Sequence, residues 1–219
     1  MKTAIAIFLL FVPLTVFSQL SDTVKSERQT VYFTKINGDT IRVTGEVHDP
    51  TSDTAIISVE SVKLGKITTL QNFKLDYYYP LAIEVVSYDQ KKGITFKYDP
   101  RGSNGNCYLF LFNEATNKLQ EIKGFLKLGM IESIFKNSRK YYYSYASCGC
   151  ADACWKSVLF NIKDYRIDTI GYIRCDCENL IIKSTKTQEK IIRNCDDFNT
   201  NGKFSKIRDY WTEKLKNGL

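Results

Sequence analysis

Residues 107–112 read CYLFLF, apolar at every position and bounded by Asn106 and Asn113. A run this short, rich in aromatic and aliphatic side chains, reads as a strand, and apolar side chains on both faces require cover on both sides. The segment therefore predicts an interior strand covered on each side. Period-two alternation surrounds it. Ala55, Ile57 and Val59 alternate with Ile56, Ser58 and Glu60, and Ile94, Phe96 and Tyr98 alternate with Thr95 and Lys97. Such alternation marks half-buried strands. Ile36-Asn37-Gly38-Asp39 places Asn-Gly between Val31/Phe33 and Ile41/Val43, the signal of a hairpin with a type I′ turn. Tyr141–Tyr145, Val158–Ile162, Ile167–Ile173 and Leu180–Ile182 continue the pattern, with a turn at Lys163-Asp164-Tyr165. Fourteen tyrosines and thirteen phenylalanines suit broad pleated surfaces. The least regular stretch, Ser61–Leu75, reads as a loop or weak strand, and no exact internal repeat is visible.

Only the end of the chain changes period. Phe204, Ile207, Trp211 and Leu215 fall three and four residues apart after Gly202, so a short amphipathic helix is expected at about 204–217, closing one end of the β core. The fold class expected is mainly β: an antiparallel meander, sandwich or barrel-like arrangement, disulfide-braced, with one short C-terminal α-helix.

Compartment decides what the cysteines do. MKTAIAIFLLFVPLTVFSQ carries one cation at Lys2, an apolar run from Ala4 to Phe17, and Val16-Phe17-Ser18 ahead of Gln19. That is the layout of a secretory signal cut after Ser18. The run is shorter than the roughly 20 residues that cross a bilayer, and no cysteine follows it as a lipidation site. The expectation is a signal peptide at 1–18, a single β-rich domain at 19–219, no transmembrane segment in the mature chain, and a secreted or periplasmic location. The formal charge of +7 is a mild basic bias. Its densest part, Lys118–Lys140, intersperses cations with Phe125, Leu128 and Ile131, which reads as a solvated face, and no nucleic-acid partner is expected.

Six of the seven cysteines cluster between residues 148 and 195: Cys148, Cys150, Cys154, Cys175, Cys177 and Cys195. Zinc is disfavoured, because no C-x2-C pair occurs and the one histidine, His48, lies far away in sequence. Exported thiols oxidise, so the six are candidates for up to three disulfides. Residues i and i+2 of a strand share a face, which suggests Cys148/Cys150 facing Cys175/Cys177, with Cys154 left for Cys195. Cys107, inside the apolar strand, is expected to be a buried inert thiol, with pairing between chains as the alternative. Asp197–Gly202 resembles the start of a calcium loop, but Arg208 stands where the bidentate glutamate belongs, so it reads as a turn into the final helix.

No Ser/His/Asp set, G-x-S-x-G or glycine-rich phosphate loop is present. No cofactor or metal is expected. Asp152, Trp155, Asp176 and Tyr142 are the candidates for a binding surface. The function expected is a secreted or periplasmic non-enzymatic β-rich module of unknown ligand, stabilised by disulfides, with a cell-envelope polymer or protein as the candidate partner. The alternative is a thiol-active or hydrolytic enzyme using the cysteine-rich loops.

Overall fold

The computed structural model describes residues 27–33, 35–36, 38–48, 53–76, 81–88, 90–97, 107–133, 141–149, 153–177, 179–184, 187–198 and 201–218. These form three antiparallel sheets and one helix. The first is a meander of β1 (Glu27–Tyr32), β2 (Thr40–Val47), β3 (Thr54–Lys63) and β4 (Lys66–Asp76). The second is a meander of β5 (Ile83–Tyr88), β6 (Lys91–Lys97), β7 (Cys107–Asn113) and β8 (Lys118–Glu121). The third runs, in chain order, through β9 (Met130–Ser133), β10 (Tyr142–Gly149), β11 (Cys154–Lys163), β12 (Arg166–Asp176), β13 (Asn179–Ser184) and β14 (Thr187–Asn194). The helix α1 (Lys203–Lys216) follows. The mainly β class with one C-terminal helix is as the sequence predicts.

Three apolar cores join these elements in series. Val43, Ala55, Ile57 and Val59 of the first sheet pack on Ile94, Phe96, Phe110 and Phe112 of the second. Leu109 and Leu111, on the other face of β7, pack with Phe125 and Leu128 against Tyr142, Val158 and Phe160 of the third sheet. The far face of that sheet, with Tyr143, Trp155, Leu159 and Ile173, is covered by Ile207 and Trp211 of α1. The CYLFLF strand thus lies in the central sheet with protein on both sides. Its neighbour β6 approaches so closely that a Cβ at Gly93 would meet the carbonyl oxygen of Phe110 and lie 2.6 Å from Leu111 Cδ2. Backbone cannot move aside as a side chain does. Gly93→Ala is expected to cost about 1–3 kcal/mol, seen as a lower urea midpoint at unchanged slope.

The first and third sheets share a unit that residue identity hides. Arg42 faces Glu60 as Tyr142 faces Phe160, and Thr54 faces Asp76 as Cys154 faces Asp176. The bulges fall at Val59/Glu60 and Leu159/Phe160. Both hairpins close in two-residue turns at positive φ, Leu64-Gly65 (49° and 78°) and Asp164-Tyr165 (49° and 59°), the type I′ requirement. Strands β2–β4 therefore recur as β10–β12 one hundred residues later. Side-chain size differs because the covering layer differs. Gly45 and Ala55 lie against the second sheet, whereas their counterparts Tyr145 and Trp155 fill the space under the helix region.

Of the two readings of Ser61–Leu75, loop or weak strand, the structure shows the strand. The segment is the regular β3–β4 hairpin, paired from Thr54↔Asp76 to Lys63↔Lys66. Its apolar alternation is weak because Lys66–Thr69 is exposed on both faces and the bulge shifts the phase. On the outer side of the first sheet, Thr30, Thr44, Ser58 and Asn72 form one polar row across all four strands, with Thr30 and Asn72 exposed, Ser58 half-buried and Thr44 buried.

Candidate functional site

The cysteine region follows the sequence expectation only in part. Cys175 and Cys195 form a disulfide across a separation of 20 residues, with Cα atoms 5.7 Å apart. Both are fully buried against Trp155 and Phe198 in the core under α1. Cys154 is also disulfide-bonded. The proposed link from Cys154 to Cys195 is therefore replaced by Cys175–Cys195. Cys177, expected in a bridge, is an exposed thiol. The reason is local: Cys177 adopts φ 68° and lies beyond the end of β12, so the rule that i and i+2 share a face no longer applies. Cys107 is half-buried and outside any disulfide. The side chain of Cys148, and Cys150 and Asp152 altogether, lie outside the described residues.

The remaining surface candidates do not converge. Trp155 is fully buried in the core beneath the helix, while Tyr142 is buried on the opposite face of the same sheet. They start one strand apart in a sheet whose two sides are separate environments, so Trp155 and Tyr142 share no common surface. Asp176 is exposed and its carboxylate lies 3.3 Å from Arg174 Nε. The neighbouring Tyr143 donates to Glu132 Oε2 at 2.6 Å. Burial, then that hydrogen bond, raises its pKa well above the usual tyrosine range.

What the fold does assemble is a basic cleft. Beyond β8, a single 3-10 turn at Phe125–Lys127 buries Phe125 and Leu128 between the second and third sheets. A backbone bridge from Lys123 to Arg166 holds the start of this segment against β12. On the sheet floor, Tyr142 and Phe160 fill the space at one end of the face, but Ser144 and Ala146 leave it open at the other. The resulting cavity of about 330 Å³ is bounded by Lys123, Lys127 and Lys156, with Ser144, Thr169 and Tyr172 among its polar lining. None of the three lysines has a carboxylate partner among the described residues. No carboxylate lines the cavity.

Tyr172 frames this charge. Lys156 Nζ lies 4.9 Å from the centre of its ring, a cation–π contact that orients the ammonium group. The Tyr172 hydroxyl donates to Glu189 Oε1 at 2.8 Å. Burial, then that hydrogen bond and the Glu189 charge, raises the tyrosine pKa, so Tyr172 stays neutral around pH 7. Arg174, next along the strand pairing from Lys156, is already neutralised by Asp176 and by Glu189 at 3.8 Å. At the back, the Ser144 hydroxyl accepts from Val158 N–H at 3.3 Å. Chemically, a cavity lined by three lysines and by hydroxyl-bearing Ser144, Thr169 and Tyr172, with no carboxylate in its lining, suits an anionic group. The basic stretch containing Lys123 and Lys127 is visible in the sequence, but Lys156 joins them only through the topology.

No family model matches the chain, and no curated protein matches it. Among solved structures, it is similar to a Xanthomonas type IV secretion system related protein at 14% identity and a TM-score of 0.42, over 75% of this chain and 93% of that one. Among the described residues, no helix is long and apolar enough to cross a membrane.

Proposed function

We propose that this chain is a non-enzymatic binding module, secreted or periplasmic, whose basic cleft holds an anionic group carried by a cell-envelope polymer or partner protein. The observation that carries the reading is the convergence of Lys123, Lys127 and Lys156 on one cavity without a lining carboxylate. The secretory layout of residues 1–18 supports the compartment, as does a buried disulfide, a bond that persists in oxidising surroundings. The layered β scaffold supports a binding role by fixing the cleft floor on paired strands.

Dextran sulfate is a suitable probe for titration calorimetry, with uncharged dextran as the control. Each exposed lysine–anion contact contributes about 0.2–1 kcal/mol, so the combined Lys123→Ala, Lys127→Ala, Lys156→Ala variant is expected to bind roughly 3- to 150-fold more weakly. Binding should fall steeply with added salt. Equal affinity of the variant and the natural protein would refute the cleft assignment.

A further inference from the structure

We propose a second, independent site: the tip of the β3–β4 hairpin docks on an anionic lipid surface, with Leu64 as its inserting side chain. Three features of the tip work against an isolated protein in water. Leu64 is 98% exposed and Ile67, three residues on, is 53% exposed. Leu64 also holds φ 49°, a left-handed conformation that glycine or asparagine adopts at less steric cost in this turn position. Lys63 and Lys66 are directly opposed across the strand pair, where like charges repel. Asp39 lies 3.2 Å from Lys63 Nζ and balances one of the two ammonium groups.

The duplicated hairpin provides an internal comparison. At its tip, Lys163 and Arg166 occupy the same opposed positions, but Asp164 stands where Leu64 does. That tip is seated on the protein: Tyr165 lies under Lys91 Nζ at 4.5 Å, and Ile162 and Ile167 pack on the core between the second and third sheets. The same backbone device is thus covered in one copy and bare in the other, and the bare copy bears the leucine. An apolar tip flanked by ammonium groups matches a surface with anionic headgroups above acyl chains, as in interfacial anchors that join modest apolar insertion to charge attraction. The cleft lysines lie on other elements, so this site stands apart from the anion cleft.

The test is co-sedimentation of the mature protein with vesicles of phosphatidylglycerol and phosphatidylcholine, compared with phosphatidylcholine alone. The natural protein is expected to partition onto the anionic vesicles, less so as salt rises. Leu64→Asn is expected to lower partitioning about tenfold or more while leaving the melting temperature unchanged or raised, because asparagine accepts the turn conformation. Lys63→Ala with Lys66→Ala is expected to weaken binding and flatten its salt dependence, whereas the triple cleft variant keeps it. Absence of binding by the natural protein, which would direct the tip toward a protein partner, overturns the proposal. So does binding that survives Leu64→Asn or disappears with the cleft variant.

Discussion

Replacing Trp211 with alanine is expected to lower stability by about 3–5 kcal/mol, the usual range for deleting a buried tryptophan. Trp211 is 1% exposed and sits at the centre of the contact between α1 and the third sheet. Its indole N–H donates to the Ser157 hydroxyl at 2.9 Å, and Ser157 is itself fully buried on that face. The alanine variant therefore leaves a cavity and an orphaned hydroxyl together. Trp211→Phe separates the two effects, since it keeps most of the ring volume and forfeits the hydrogen bond, at about 1–3 kcal/mol. Urea unfolding followed by far-ultraviolet circular dichroism measures both. A loss below 1 kcal/mol in the alanine variant would mean that α1 is not integral to the core.

The second large effect is expected at sulfur. Cys175→Ser opens the 20-residue loop closed by Cys195, and loop entropy assigns that closure about 3 kcal/mol. Cys177→Ser, two residues away, removes an exposed thiol at a strand exit and is expected to change stability by no more than about 0.5 kcal/mol. The two variants thus separate a disulfide cysteine from one outside any disulfide in thermal melts under non-reducing conditions. Equal losses in both would show that Cys177 is joined to another sulfur in the folded protein.

Much of this architecture is legible in the residues because it rests on local periodicity. CYLFLF announces its two covered faces. The Asp164-Tyr165 turn and the final helix also lie where their residues predict, the helix at Lys203–Lys216. What escapes is set by partners distant in sequence. Ser61–Leu75 reads as irregular because its outer part, Lys66–Thr69, has no core to enforce alternation. The Cys175–Cys195 bond depends on where β14 returns, and Cys177 leaves the strand geometry that the spacing argument assumes. Trp155 invites reading as a surface residue because it follows a cysteine-rich loop, yet its strand register turns it beneath α1. The cleft joins Lys123 and Lys127 to Lys156 across a sheet pairing that neither segment encodes alone.

The duplicated strands give the layered assembly a direction. The faces of β10–β12 and β2–β4 that correspond to each other look the same way along the stack: one meets the central sheet, and the other meets water. A head-to-tail pile of this kind has unlike ends, and each invites another copy to add on unless it is finished off. Here α1 seals one terminus, while exposed Thr30 and Asn72, with half-buried Ser58 between them, give the other a hydroxyl and amide coat. Growth by simple stacking is thereby discouraged at both limits, much as terminal repeats close a solenoid.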